Sequence, residues 1–254
     1  YQRAKQSRAL VAEAALGLGR LYAAAGRKSE AEVALREALS VEPSWPELQY
    51  ELGVLLGSAP EARGLLAQAV AGRPGWADAE GALGDALKQG ADLAGAEAAY
   101  RRALAADRNL LAAHLGLAEV LLAKAQLQEA DVEVKAALAL VANDPRATLL
   151  LGEIQSKQGL IDDAIETFRR AADLDPKNPS GLIRAAEVAL ANNRGTLAAG
   201  FLDRLLTAHP REAKALVLYG DVMRARGDNS AAKKYYDRAI TAGGTVDASR
   251  LQLK

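Results

Sequence analysis

The chain has 254 residues, with 32 Lys and Arg against 32 Asp and Glu. A formal charge of zero argues against a general nucleic-acid binder, whose domain is usually basic. The absence of Cys excludes disulfides, thiolate metal sites and a cysteine nucleophile. Half the residues are apolar, which excludes a disordered chain, and no apolar run approaches the ~18 residues of a membrane span. Only 4% are aromatic, while Ala and Leu dominate, a bias toward helix over strand.

The sequence overlays on itself at a step of 34 residues. Residues 1–11 come first. Tyr1-Gln-Arg-Ala4 falls in register with Tyr100-Arg-Arg-Ala103 and Phe168-Arg-Arg-Ala171, so this segment reads as the end of an upstream helix. Seven units follow: 12–45, 46–76, 77–110, 111–144, 145–178, 179–212 and 213–246. Leu52-Gly53, Leu83-Gly84, Leu117-Ala118, Leu151-Gly152 and Tyr219-Gly220 mark the first half of successive units. Ala96-x3-Tyr100, Ala164-x3-Phe168 and Ala232-x3-Tyr236 mark the second half. The twentieth position is Ala in all seven units: 31, 62, 96, 130, 164, 198 and 232. Such fixity predicts a place where two helices approach too closely for a larger side chain.

The second unit lacks three residues near Gly57-Ser58-Ala59-Pro60, which predicts a shortened turn and a local change of curvature. The fifth unit shows the pattern most plainly. Leu151 and Ile154 line one face of a first helix, which Gly159 closes in left-handed geometry. Asp162 or Asp163 opens a second helix with the stripe Ala164, Phe168 and Ala171, and Pro176 stops it. Pro43, Pro74 and Pro210 play the same part elsewhere. Pro46, Pro145 and Pro179 fall at a first turn, where the missing N–H costs nothing, and Pro60 falls in a turn. Residues 247–254 place Leu253 at the first-helix Leu position of an eighth repeat; they fit its start or a capping helix. The chain thus reads as a segment of a longer array.

A 34-residue unit with Leu-Gly in one helix, Ala-x3-aromatic in the next and a closing Pro resembles the tetratricopeptide repeat (TPR) family. Ala118 and Ala186 depart from the Gly, Leu205 from an Ala, and Arg108 and Gly244 from the Pro. The resemblance implies an all-α, right-handed superhelical solenoid of seven helix-turn-helix repeats. First helices line its concave face, and each repeat is stable only through its neighbours.

Nothing in the chain supports catalysis, a metal or a cofactor. His114 has no Asp, Glu or Ser spaced to suggest a triad and reads as a packing imidazole. His209 sits at a helix end, where the dipole favours a cation. Gly17-Leu18-Gly19 lies mid-helix with no preceding strand, so it is no phosphate loop.

The ninth position of each unit, which faces the groove in TPR folds, reads Arg20, Val54, Asp85, Glu119, Glu153, Glu187 and Asp221. Five acids therefore recur along the expected groove, beside an apolar fifth position: Leu115, Leu149, Ile183 and Val217. This pattern predicts a protein or peptide partner with apolar anchors and basic residues. Same-helix pairing of Glu153 with Lys157, Asp85 with Lys88, Asp221 with Arg224 and Arg184 with Glu187 would weaken the field; Glu119 shows no such partner. Acidic chaperone tails and RNA phosphates would be repelled. Trp45 and Trp76, at equivalent places before consecutive first helices, form with Tyr50 a second candidate, an aromatic rim.

The expectation is a non-enzymatic interaction scaffold. The TPR resemblance together with an Ala-, Leu-, Gly- and Arg-rich bacterial composition directs it to envelope assembly: polysaccharide export, a pilus or secretion machinery. The alternative is the partner- or substrate-selecting arm of a larger enzyme, such as a TPR-bearing glycosyltransferase. Missing Cys allows both cytoplasm and periplasm, and no small-molecule substrate is evident.

Overall fold

The computed structural model describes residues 2–251, with side chains from residue 10 onward except Ser249. Tyr1 and Leu253, on which two register arguments rest, lie outside the described residues. Among the described residues there are fifteen helices and no strand. Seven pairs run in order: α1 (Gln2–Ala24) with α2 (Lys28–Val41), α3 (Pro46–Leu56) with α4 (Pro60–Gly72), and α5 (Ala77–Gln89) with α6 (Leu93–Ala106). They continue with α7 (Leu111–Ala123) and α8 (Leu127–Leu140), α9 (Pro145–Lys157) and α10 (Ile161–Leu174), and α11 (Ser180–Ala191) and α12 (Gly195–Ala208). The last pair is α13 (Ala213–Ala225) and α14 (Asn229–Thr241), followed by the short α15 (Ala248–Leu251). Helix α1 is continuous through residues 2–11.

The chain forms two compact units, Tyr1–Glu133 and Val134–Lys254. In the first unit each helix from α1 to α7 packs on the next, and α3 and α7 also touch α1 and α5 respectively. In the second, α9 to α14 stack in sequence, α11 touches both α9 and α13, and α15 rests on α14. Odd-numbered helices are therefore neighbours on one side of the stack within each unit.

Two small positions allow this stacking. All seven twentieth-position alanines are 0% exposed, as the close approach of paired helices requires. The eighth-position glycine faces the large residue of the partner helix. A Cβ on Gly84 would lie 2.6 Å from the Tyr100 ring, and one on Gly152 would lie 2.7 Å from Phe168. Both contacts are far inside van der Waals distance, so the aromatic ring can seat only over a glycine.

Four local expectations need correction. The second repeat keeps a three-residue turn, 57–59, the same length as 90–92 in the third repeat. Its deletion instead shortens α3 to 11 residues and α4 to 13, against 13 for α5 and 14 for α6. The turn changes conformation: Gly57 takes φ 58 and ψ −106 at the first turn residue. In the other repeats the second turn residue is left-handed, including Gly159 (φ 82) but also Ala91 (φ 60) and Ala125 (φ 59). Pro60 is the first residue of α4, where its fixed φ suits a helix start.

Asp162 and Asp163 do not cap α10; the cap position is Leu160, and both carboxylates lie in the first turn, where they complement the helix dipole. In α9 the buried residues are Leu150 and Ile154, while Leu151 is only half-buried. At a 100° step Leu150 and Leu151 lie about 50° to either side of the direction marked by Ala147 and Ile154, so helical angle alone does not separate them and tertiary packing decides which is buried.

Candidate functional site

The odd helices carry the position-nine residues, and the structure supplies what the sequence lacked: their partners. In the first unit Arg20 Nε donates to Glu51 Oε1 at 2.6 Å, from one repeat to the next. Lys88 Nζ lies 3.5 Å from Asp85 and donates to Glu119 Oε2 at 2.6 Å. Glu119 thus has a cation, on the preceding repeat rather than on its own helix. Asp85 also accepts a hydrogen bond from Tyr100 Oη at 2.6 Å. That phenol runs over the closely approaching backbones of Gly84 and Gly116 to reach the carboxylate.

In the second unit Arg184 bridges two repeats, 2.9 Å from Glu153 and 3.1 Å from Glu187. Glu187 also meets Lys214 at 2.7 Å. The expected Glu153–Lys157 pair gives way to the Arg184 bridge, because a planar guanidinium satisfies two carboxylates together. Asp221 is the most enclosed of the five position-nine acids, 9% exposed. It accepts from Arg250 Nε at 2.8 Å and Nη2 at 2.9 Å and from Tyr236 Oη at 2.9 Å, with Arg224 at 3.8 Å. Burial, then the bond to Asp221, pushes the Tyr236 hydroxyl up to about 12. Burial and Asp203, which accepts from Tyr219 Oη at 2.8 Å, do the same for Tyr219.

The five acids are therefore of two kinds. Asp85 and Asp221 stand in repeats whose helix-facing residue is Tyr, and each accepts that phenol. The repeats with Glu carry Val134, Phe168 and Leu202 at that place. This Asp–Tyr pairing was a legible signal that periodicity alone passed over. Among the apolar fifth positions, Leu115 is 3% and Ile183 7% exposed and both belong to the interior, whereas Leu149 and Val217 are half-exposed.

Open clefts lie beside this row. One of about 240 Å³ involves Glu153, Lys157, Arg184 and Glu187; another of about 480 Å³ involves Glu187, Lys214, Val217 and Arg250. Both contain carboxylates and their own cations. A third, of about 220 Å³ in the first unit, is lined by Tyr50, Val54, Asp78, Gly81, Ala82, Asp85, Leu110 and Ala112. Its lining has two carboxylates and no basic residue.

Tyr50 packs on Trp76, not Trp45: the ring centroids are 4.5 Å apart at 42°. Arg73 covers Trp76 at 4.7 Å and meets Glu47 at 3.1 Å. Trp45 is half-buried against the core of Ala12, Leu16, Leu48 and Leu52. The two indoles thus occupy equivalent helix-start positions with different surroundings. Burial, then Asp78 and Glu51, raises the Tyr50 hydroxyl above its ordinary value.

His114 ties the two helices of its repeat: Nδ1 is 2.7 Å from Glu133 and Nε2 is 3.0 Å from the Arg108 carbonyl. Gln49–Gln68 (3.1 Å) and Glu80–Arg102 (2.8 Å) make the same tie in earlier repeats. His209 is the cap residue of α12, with Nε2 3.4 Å from the Pro176 carbonyl. Among the described residues no group of three or more His, Asp and Glu is placed to hold a metal ion. None of their helices is long and apolar enough to cross a membrane.

Paired antiparallel helices, a fixed interior Ala and a Gly under an aromatic ring define a helical-repeat protein. Two family models described as tetratricopeptide repeat match residues 155–216 and 12–55, so the chain contains tetratricopeptide repeats. A comparison with curated protein sequences finds no match. Among solved structures, a tetratricopeptide repeat protein from Parabacteroides merdae is similar, with TM-score 0.74 and 16% identity over 96% of this chain and 97% of that one. PilF of Pseudomonas aeruginosa gives 0.68 and 20%, over 82% and 96%. YrrB, described as a TPR protein with an unusual peptide-binding site, gives 0.54 and 19%, over 70% and 91%. At these identities the likeness establishes the fold.

Proposed function

We propose that this chain is a non-enzymatic scaffold that binds a partner protein or peptide on the faces of its odd-numbered helices. The observation that carries the reading is that Asp85, Glu119, Glu153, Glu187 and Asp221 all lie on those helices, with half-exposed Leu149 on the helix of Glu153 and Val217 on that of Asp221. A partner segment with basic and apolar side chains suits it: cations exchange into the existing ion pairs while Leu149 and Val217 take apolar contacts. YrrB, described as a TPR protein with an unusual peptide-binding site, is consistent with this class. Bacterial envelope assembly, in polysaccharide export, a pilus or secretion machinery, is the setting we propose.

The test is affinity capture from bacterial lysate with two charge-reversed variants. One carries Glu119→Lys, Glu153→Lys and Glu187→Lys. The other carries Asp163→Lys, Glu166→Lys and Asp237→Lys, on the exposed sides of even-numbered helices. A partner lost from the first variant and kept by the second, and lost as salt rises, supports the reading. The reverse pattern moves binding to the even-numbered helices and refutes it. A helical melt accompanies each variant, because Lys at 153 and 187 faces Arg184.

A further inference from the structure

The repeats show what fits beside their carboxylates. In the sixth repeat the sixth position is Arg184, and its guanidinium lies between Glu153 and Glu187. In the third repeat the equivalent residue is Ala82, while the ninth-position acid, Asp85, is still present. The side chain that would reach across is missing, and an open cleft stands there instead. At about 220 Å³ it falls below the ~300–1,000 Å³ of small-molecule sites, and it has room for one long side chain.

The surroundings fix the chemistry of that side chain. Among the described residues Asp78 has no ion-pair partner, unlike Glu47, Glu51 and Glu80 on the same helices. Tyr50 lines the cleft and also packs on Trp76 and on the core of Leu66, Leu83 and Ala99. Val54 stands at the ninth position of the preceding repeat, the place at which Arg184 meets Glu153 in the second unit, so one wall is apolar. A carboxylate pair, an aromatic face and an aliphatic wall together suit a cation on a long apolar stem.

Resting on the scaffold reading above, we propose that the cleft lined by α3, α5 and the start of α7 is the specificity site of the scaffold. It takes one Arg or Lys side chain of a partner peptide, followed by an apolar residue. The basic head lies on Asp78 and Asp85, and its stem lies along Tyr50 and Val54. The peptide supplies the cation that Arg184 supplies internally in the sixth repeat. This distinguishes the two units: in the clefts described in the second the protein's own Arg184, Lys214 and Arg250 meet the carboxylates, whereas in the first-unit cleft Lys88 and Tyr100 reach Asp85 and leave Asp78 to the peptide.

A random peptide library displayed on phage, panned on the full chain, tests this. Peptides with Arg or Lys next to an apolar residue are expected to be enriched. The best of them, made synthetically, is then titrated against the wild type and two variants. Asp78→Asn weakens binding about tenfold by removing a charge-assisted contact. Ala82→Arg fills the cleft with the protein's own guanidinium and abolishes binding. An unchanged helical melt separates both effects from misfolding. Enrichment of peptides lacking Arg and Lys, or an Ala82→Arg variant that binds as the wild type does, overturns the site and leaves the scaffold reading standing. Failure of the wild type to retain any peptide overturns both.

Discussion

Replacing Tyr236 by Phe isolates one hydrogen bond in the most enclosed cluster of the odd-helix row. The ring is 0% exposed, and Phe keeps its volume, so packing over Gly220 survives. Only the Oη bond to Asp221, 2.9 Å, is lost. Asp221 keeps Arg250, so no buried carboxylate is left unpaired. A hydrogen bond to a charged group is worth about 1.5–3 kcal/mol, which lowers the melt by roughly 3–12 °C in a chain of this size. The pH dependence supplies a second reading of the same bond. The folded state holds the Tyr236 hydroxyl at about 12, above its ordinary 10. Its stabilisation is therefore complete below pH 10 and lost between 10 and 12. Tyr219 behaves in the same way. Denaturant titrations followed by circular dichroism from pH 7 to 12 should show the wild type weakening across that window. Tyr236→Phe should weaken less there, with Tyr219 supplying what remains. A variant with wild-type stability at pH 7 and an unaltered alkaline decline would refute the argument, and Arg250 alone would then hold Asp221.

Phe168→Ala removes a side chain that is 1% exposed and faces Gly152, and should cost about 3–5 kcal/mol by denaturant titration. Leu151→Ala, at a half-buried position, should cost about 1–2 kcal/mol in the same assay; equal losses would contradict the assignment of the inner face of α9. Ala91→Gly and Ala125→Gly relieve left-handed backbone at φ 60 and 59, and each should raise stability by about 1 kcal/mol, less the added freedom of the unfolded chain. A fall in the melt for both would show that the turn relaxes around alanine without strain.

The sequence by itself determined the repeat. A step of 34, a fixed Ala and a Gly facing an aromatic ring leave a single way to pack two helices, because each small residue marks a close approach. The seven alanines at 0% exposure express that constraint directly. The placement of Asp85, Glu119, Glu153, Glu187 and Asp221 on odd-numbered helices follows from the same periodicity. Tertiary structure decided how those acids are used. Ion pairs such as Lys88–Glu119 and Arg184–Glu153 join residues 31 apart, on neighbouring repeats. Helical spacing of three or four residues cannot find them. It therefore offered Lys157 to Glu153 and no partner to Glu119. Likewise Tyr50 lies five residues from Trp45 in sequence but stacks on Trp76, because packing of α3 against the start of the next odd helix, α5, outweighs chain proximity. The missing three residues of the second repeat were visible as a gap, but only packing placed the loss in the ends of α3 and α4 rather than in the turn. Local sequence sets which faces are buried; the charges on the open face are settled by whichever repeat lies beside them.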